Sequence, residues 1–194
     1  SHSTYDALNR ITATTYPSSA SNVSYRYDEA DTVTGCVGSY PIGRLTSVVE
    51  TTITTAYCYD ARGNVVLKRQ TQGTNVDAIN YSFTLAGRLA SIRTPDGTSV
   101  QYGRDGAGRI TAVSVQLPGS SSVSNMVTNV SYLPFGPIAS YTLGNGQTIA
   151  RIYDANYAVT DIVSPALNVH FARDAMGNVT ALGNTPGANP AAET

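Results

Sequence analysis

A five-residue motif that recurs along the chain constrains the fold more than any other feature. The motif has the form Tyr-Asp-x-x-Gly and is followed by a branched aliphatic residue that favours a strand. Copies begin at Tyr5, Tyr59, Phe83, Arg104, Tyr132, Tyr153 and Arg173, and another copy is split between Tyr27-Asp28 and Gly43-Arg44. Because the copies recur about every 20 to 32 residues, the interval fits one strand hairpin per copy in a repeat array.

Each position of the motif has a chemical reason to lie in a turn. The aspartate can accept a hydrogen bond from its own downstream backbone N–H, as in an Asx-turn, and the glycine supplies the positive φ of a short hairpin loop. Asn9 replaces the glycine in the first copy, and Tyr157 replaces it in another copy, which predicts a locally altered loop there. The predicted turn residues are Tyr5, Asp6, Tyr27, Asp28, Gly43, Arg44, Tyr59, Asp60, Gly63, Gly87, Arg88, Asp105, Gly108, Arg109, Tyr132, Gly136, Tyr153, Asp154, Asp174 and Gly177.

The residues before each turn alternate with period 2, which is typical of a strand with one distinctive face. The predicted face carries Val23, Tyr25 and Tyr27 in one strand, and Ile79, Tyr81 and Phe83, or Ile149, Arg151 and Tyr153, in others. A second set of turns lies between the motif copies, at residues 95–98, 117–121 and 143–147. Each unit therefore runs strand, turn, strand, turn, and the chain is predicted to be a long antiparallel meander.

Composition supports this all-β prediction and argues against several classes of function. Thr, Val, Tyr and Gly are frequent, Lys occurs once, and no run of about 12 residues has helical periodicity. The formal net charge is −1 without a basic patch, so neither nucleic acid nor an acidic membrane surface is an expected partner. No stretch of about 18 apolar residues predicts a membrane span.

Cys36 and Cys58 are the two cysteines of the chain. Two cysteines make neither a disulfide framework nor a structural zinc site. Two alternatives remain at this point: a disulfide, if neighbouring strands bring the residues together, or two half-buried thiols. The sequence by itself favours the thiols.

The tandem motifs resemble the RHS or YD-repeat family from Tyr5 to Leu182. The segments GRLTSV, YDARGNVV, GRLASI and YLPFGPIASYTLGNGQ carry the resemblance. Members of that family include C components of insecticidal toxin complexes, effectors of the bacterial type VI secretion machine and the extracellular part of teneurins. The resemblance implies tandem antiparallel β-hairpin repeats that form a curved, spiralling sheet, as part of a hollow shell around a cytotoxic domain.

The resemblance also sets the expected organisation of the chain. Residues 1–194 are expected to be one RHS-repeat segment of about seven or eight repeats, with an insertion within residues 28–43 and a linker to a further repeat at residues 183–194. The chain begins and stops inside the repeat rhythm, so we interpret it as a piece of a longer protein or a processed product. The insertion and the Ser-rich run at residues 119–125 are predicted to project as loops. Exposed sheet edges predict that the isolated segment associates or depends on flanking repeats.

Three function hypotheses follow. The first is a structural wall segment of a secreted, extracellular bacterial toxin, exported by a bacterial secretion machine, with the flanking repeats and the enclosed toxin or effector domain as partners. The second is an extracellular adhesin that binds a carbohydrate or a protein through its tyrosine and arginine rows. The third, an enzyme, is disfavoured, and no catalytic, cofactor or metal residues are assigned.

The enzyme hypothesis is disfavoured for reasons that lie in the residues. The self-cleavage signature of the bacterial family members, Asp-Pro-x-Gly, is not matched, because the chain has no Asp-Pro dipeptide. Most aspartates occupy the repeated turn position, and Asp161 fits no shared pattern. His170 is expected to be a surface or packing residue, and Cys58 has no cationic neighbour in sequence that would lower its pKa.

Overall fold

The chain folds into two compact units of antiparallel β-strands, Ser1–Ser99 and Val100–Thr194, in a computed structural model that describes residues 1–134 and 136–184. The first unit contains β1 (His2–Tyr5), β2 (Ile11–Thr15), β3 (Val23–Tyr27), β4 (Leu45–Val49), β5 (Ile53–Tyr59), β6 (Val65–Gln72), β7 (Asn75–Phe83) and β8 (Leu89–Arg93). The second contains β9 (Ser99–Arg104), β10 (Ile110–Gln116), β11 (Val123–Tyr132), β12 (Ile138–Leu143), β13 (Thr148–Tyr153), β14 (Val159–Val163), β15 (Asn168–Arg173) and β16 (Val179–Gly183).

Strand order in the sheet is the chain order within each unit, and consecutive strands pair antiparallel. The helical elements in the described chain are α1 (Asp31–Thr34) and one 3-10 turn (Ser19–Ser21). The predicted all-β meander of hairpins is therefore confirmed. The predicted linker at residues 183–194 lies mostly outside the described residues.

The period-2 faces predicted from the sequence are present in the strand pairing. Tyr57 lies opposite Lys68, which lies opposite Ile79, and Arg151 lies opposite Ile162, which lies opposite Val169. Directly opposed residues of antiparallel strands share a face, so each of these rows lies on one face of the sheet in its unit. β3 shows the same alternation in its burial, with Val23, Tyr25 and Tyr27 less exposed than the residues between them.

Most strand residues are only half-buried, and most of the buried side chains lie in the first unit. Those on β4 and β5 and in the insertion are Thr34, Cys36, Thr46, Ser47, Thr55, Ala56, Cys58 and Tyr59, and the others are Thr14 on β2 and Asp161 on β14. Several of these residues are polar, which fits a sheet that has no wide apolar layer on either face. Burial is deepest where the insertion covers the sheet.

Two loop predictions were wrong. The insertion does not project from the sheet: it forms α1 and packs back onto β5, because Cys36 is joined to Cys58 by a disulfide. The Ser-rich run is a loop only as far as Ser122, since the following residues belong to β11 and pair with β10 through Val123 and Gln116. A long hairpin compensates for the poor strand propensity of that run by supplying cross-strand hydrogen bonds.

Candidate functional site

The repeated motif forms a five-residue turn, called here the closing turn, with positions 1 to 5. The N–H of position 1 donates to the carbonyl of position 5, at 2.8 to 3.2 Å. This bond begins at Asp6, Asp28, Asp60, Thr84, Thr94, Asp105, Leu133, Leu143, Asp154 and Asp174. A register shift follows the turn, as in a three-residue loop with a G1 bulge. Closing turns at Thr94 and Leu143 lie between the motif copies, so two turns of the predicted second set have the geometry of the first.

The aspartate at position 1 organises the loop through both carboxylate oxygens. In the Asp60 copy, Oδ1 accepts the N–H groups of Arg62 and Asn64, both at 2.9 Å, and Oδ2 accepts the side-chain amide of Asn64 at 2.8 Å. The side-chain hydrogen bond from Asn64 is the main cause that holds the pKa of Asp60 below its ordinary value. An Arg at position 5 serves in the same way in the copies of Asp6 and Asp105. In these three copies the residue at position 5 is Arg or Asn, and its side chain binds the position 1 carboxylate.

Position 4 has the left-handed backbone conformation that the sequence predicted at Asn9, Gly43, Gly63, Gly87, Gly108 and Gly177. Its φ is 89° at Gly63 and 59° at Asn9. The loop expected to be altered at Tyr157 keeps the standard turn: φ is 61°, and the N–H of Tyr157 donates to the carbonyl of Asp154 at 3.1 Å. The Tyr157 hydroxyl donates to the carbonyl of Pro134 in the preceding turn, a contact that helps to offset the cost of the left-handed conformation.

The tyrosine before position 1 links its hairpin to the preceding one. Its hydroxyl donates to the carbonyl of the first residue after the closing turn of the preceding motif copy: Tyr59 to Leu45 at 2.6 Å, Tyr132 to Ile110 at 2.7 Å, and Tyr153 to Ile138 at 2.7 Å. Where Arg173 replaces the tyrosine, its Nη2 donates to the equivalent carbonyl of Val159 at 3.2 Å. The substitution therefore preserves the link with a different donor.

The arginine at position 5 makes a second link to the following copy. Its guanidinium lies over the ring of the next motif tyrosine: Arg10 over Tyr27 at 4.3 Å, Arg44 over Tyr59 at 5.5 Å, and Arg109 over Tyr132 at 4.6 Å from the ring centroid. A cation over an aromatic face is a favourable contact. Arg10 also bridges two copies by charge, since it pairs with Asp6 at 2.7 Å and with Asp28 at 2.9 Å.

Residues 29–42, called here the cap, interrupt the split copy and cover the sheet face at β4 to β6. The Cα atoms of Cys36 and Cys58 lie 5.6 Å apart across the disulfide, so the favoured alternative of two thiols was wrong. The N–H of Tyr40 donates to the carbonyl of Tyr59 at 3.1 Å, and the N–H of Tyr59 donates to Ser39 Oγ at 2.9 Å. The cap thus supplies backbone partners to the end of β5.

A cleft of about 230 Å³ lies between the cap and the sheet. Its lining is polar and includes Arg26, Glu29, Ser47, Thr54, Arg69 and Thr71. Glu29 Oε2 accepts hydrogen bonds from Thr46 at 2.9 Å and from Ser47 at 2.5 Å. Arg69 donates to the carbonyls of Thr34 and Gly35, which closes the end of α1 against β6.

Asp161 and His170, which share no motif in the sequence, are neighbours in the structure. His170 Nδ1 lies 2.8 Å from Asp161 Oδ1, and the two residues are directly opposed on β15 and β14. Placing a turn at residues 164–167 and counting back from it would have found this pair, because Val163 opposes Asn168. The predicted turn residues of the repeated motif lie in neighbouring turns at the same end of the hairpins in each unit.

The part of the chain that the structure describes has no side-chain cluster suited to a metal ion. Within residues 1–134 and 136–184, no group of three or more His, Cys, Asp and Glu side chains could hold one. Over the same residues, no helix has the length and apolarity needed to cross a bilayer.

Comparisons with known proteins agree with the repeat architecture. The RHS-repeat family model matches residues 84–116, and no curated protein sequence matches the chain. The fold is similar to a crystal structure of TcdB2–TccC3, with a TM-score of 0.80 at 14% identity, and to one of TcdB2–TccC3–Cdc42, with a TM-score of 0.79 at 14% identity. A structure of the Tc holotoxin pore of Photorhabdus luminescens gives a TM-score of 0.70 at 14% identity.

These matches cover 96% of this chain but only 10 or 11% of the solved chains. The chain therefore spans about a tenth of the length of the proteins that it resembles in fold. The resemblance to RHS repeats is confirmed, by sequence over one hairpin region and by fold over nearly the whole chain.

Proposed function

We propose that this RHS-repeat chain is a wall segment of a hollow shell that encloses a C-terminal toxin or effector domain of a secreted bacterial protein. The observation that carries the proposal is the link between successive hairpins. Tyr59, Tyr132 and Tyr153 each donate a hydroxyl to a carbonyl in the preceding copy. A motif that binds its own turn and its neighbour extends a sheet by repetition, as in other repeat proteins.

The chemistry of the turn aspartates supports a structural role. Their oxygens accept backbone N–H groups and the side chain of position 5, as in Asp6, Asp60 and Asp174. A carboxylate held this way has its acceptor positions occupied, whereas a general acid or nucleophile needs an oxygen directed at a substrate. We therefore assign no enzymatic role to the repeats.

We further propose that residues 1–194 are one segment of about seven or eight repeats, with flanking repeats on both sides as its first partners. The coverage of about a tenth of the solved chains supports a longer wall. An extracellular location after export by a bacterial secretion machine is supported by the Cys36–Cys58 disulfide, since such bonds persist in oxidising surroundings.

The alternative is an adhesin that binds a carbohydrate or protein through the tyrosine rows. Tyrosine platforms use both the ring and the hydroxyl to hold a ligand. In this chain the hydroxyls of Tyr59, Tyr132 and Tyr153 are occupied by main-chain carbonyls. That occupancy favours the wall, in which the tyrosines join hairpins.

The test is electron microscopy of the native full-length protein combined with protease protection. The wall function predicts a hollow particle with a C-terminal fragment that resists protease until the particle is opened with denaturant. A solid or extended particle in which every segment is cleaved at the same rate would contradict enclosure. Glycan and protein binding would then be measured on the tyrosine faces.

A further inference from the structure

The cap has almost no apolar anchor on the sheet. Its large apolar side chains face solvent: Val33 is 65% exposed, Val37 98%, Tyr40 54% and Ile42 76%. The buried cap residues are Thr34 and Cys36. Burial of apolar side chains normally holds an insertion against a fold, and here that contribution is nearly missing.

Polar contacts and one covalent bond hold the cap instead. The polar contacts are the hydrogen bonds between Ser39, Tyr40 and Tyr59, those from Arg69 to the end of α1, and those that Glu29, at the base of the cap, accepts from Thr46 and Ser47. Each of these groups can exchange its partner for water with a small net change in free energy. The Cys36–Cys58 disulfide has no such replacement, because it fixes the centre of the cap to β5.

The rest of the split hairpin does not need the cap. The N–H of Asp28 donates to the carbonyl of Arg44 at 3.2 Å, and Tyr27 pairs with Leu45 across β3 and β4. These contacts lie on either side of the cap in sequence and close its loop at the base. Release of the cap would therefore leave the strands in register and expose Ala56 and Cys58, which are now buried.

We propose that docking of the cap depends on oxidation of Cys36 and Cys58. Two thiols lose two protons and two electrons to a disulfide oxidant, which becomes two thiols, as the Sγ–Sγ bond forms. A dithiol reductant reverses the step: its thiolate attacks one cysteine sulfur and then closes on itself, returning two free cysteines. The oxidised chain has a docked cap over the polar cleft, and the reduced chain has an open cap with an intact sheet.

The redox dependence of cap docking does not rest on the proposed function as a shell wall. A chain that matures outside the cell would close the cap, and exposure to a dithiol-rich compartment would open the cleft that Arg26, Glu29 and Arg69 line. Because both cysteines are buried, reduction has to proceed through local opening of the cap, and it is expected to be slow relative to an exposed disulfide.

The test is amide hydrogen exchange of the full chain before and after treatment with a dithiol, with alkylation and mass measurement to prove that both thiols are free. We expect exchange at the N–H groups of Tyr40 and Tyr59, which bond across the cap and the sheet, to accelerate about tenfold or more on reduction, as for a released segment. Exchange at the N–H of Asp28 and in the β13–β14 hairpin should stay unchanged. The double variant Cys36→Ser/Cys58→Ser should exchange like the reduced chain and should not respond to the dithiol.

Two results would overturn the proposal. Unchanged protection at Tyr40 and Tyr59 in the chain with free thiols would show that the polar contacts alone hold the cap. Loss of protection throughout β3 to β6 would show that the disulfide maintains the sheet rather than the cap. If the serine variant fails to fold, reduction of the folded chain still separates these outcomes, because the hairpin in the second unit reports whether the chain remains native.

Discussion

The split copy at Tyr27–Arg44 and the uninterrupted copy at Tyr59–Asn64 close through the same backbone bond. The N–H of position 1 donates to the carbonyl of position 5 at 3.2 Å in the first and 3.0 Å in the second. A register shift follows in both, where the motif tyrosine opposes Leu45 or Val65. Strand pairing therefore defines the closure, and loop length does not, since a longer loop adds little closure entropy.

The two copies differ in how their tyrosine and aspartate are held. Both tyrosine rings lie under an arginine of the preceding copy, and Tyr59 in addition donates its hydroxyl to the carbonyl of Leu45. Asp28 is held by the charge of Arg10 from the preceding copy, while Asp60 is held by the neutral amide of Asn64 in its own turn. The carboxylate at position 1 is thus held either by charge across copies or by a side-chain hydrogen bond within its own copy.

The largest expected effect comes from converting the split copy into an uninterrupted one. Replacing residues 29–42 by Ala-Arg, together with Cys58→Ala, gives the turn Asp-Ala-Arg-Gly-Arg. The hairpin should persist, and the free energy of unfolding should fall by about 2 to 4 kcal/mol because the disulfide and the cap contacts are lost. Urea denaturation of the chain measures the loss, and hydrogen exchange at Asp28 tests the closure.

The matched control is Cys36→Ser/Cys58→Ser, which keeps the cap sequence and removes the disulfide alone. A similar loss in both variants would assign the effect to the disulfide. Rapid exchange at Asp28 in the converted chain would contradict the conclusion that the motif closes the hairpin by itself.

The next largest effect is expected from alanine substitutions at the motif glycines of the two copies. Gly43 and Gly63 both have positive φ, at 80° and 89°. A Cβ at Gly43 would meet nothing within 4 Å, whereas one at Gly63 would lie 2.9 Å from Arg44 Nη2. We expect Gly43→Ala to cost about 1 kcal/mol for the backbone alone, and Gly63→Ala about 1 to 2 kcal/mol because Arg44 must also move.

The same denaturation assay measures both glycine variants. Gly106→Ala is a suitable control, since a Cβ at Gly106 would meet nothing within 4 Å and the φ of this residue is not in the left-handed range. Equal losses for Gly43→Ala and Gly63→Ala would show that the contact between Arg44 and the next turn has no energetic weight.

A smaller effect on stability is expected from phenylalanine substitutions at the motif tyrosines of the two copies. Tyr59→Phe removes the hydrogen bond to the carbonyl of Leu45, which should cost about 1 kcal/mol. Tyr27→Phe keeps the ring beneath Arg10, and within the described residues no hydroxyl hydrogen bond of Tyr27 is lost. Its stability should therefore be nearly that of the parent chain. An equal loss in both variants would show that the hydroxyl does not link copies.

The repeat made much of this architecture predictable from sequence. Aspartate and glycine at fixed spacing predict the closing turns, and period-2 alternation predicts which residues share a face with Tyr57 or Arg151. These features are local, so the chemistry of a few neighbouring residues determines them. The hydroxyl-to-carbonyl links were not predicted, because the acceptor lies in another copy about 14 to 22 residues earlier and is a backbone atom without a sequence signal.

The docked position of the cap could not be predicted either, because it depends on contacts between residues that are distant in sequence. The composition of the cap, with Gly35, Gly38 and exposed Val33 and Val37, is typical of a projecting loop. Its docked position depends on a pairing between Cys36 and Cys58 across 22 positions, and two cysteines alone do not reveal whether they meet. The Tyr157 loop was mispredicted because a contact with the preceding turn, to Pro134, favours a conformation that its residue type resists.

The smallest expected effect compares the titration of the two aspartates. The hydrogen bond from Arg10 is the main cause that lowers the pKa of Asp28, and the hydrogen bond from Asn64 is the main cause that lowers the pKa of Asp60. A carboxyl whose pKa is lowered on folding stabilises the chain above its unfolded pKa, near 3.8, and that contribution disappears as pH falls through the folded pKa. Both contributions should therefore vanish in strong acid.

Added salt is expected to change the pKa of Asp28 but not that of Asp60. High ionic strength screens the exposed charge pair between Arg10 and Asp28 but has little effect on a hydrogen bond between Asn64 and Asp60. Nuclear magnetic resonance titration of the side-chain carboxyl carbons should therefore show the pKa of Asp28 rising towards its ordinary value in salt, while that of Asp60 stays lowered. Arg10→Gln should reproduce the rise at Asp28 without salt. A parallel response of both residues would mean that charge across copies and hydrogen bonds within a copy are not the distinct devices that the two turns suggest.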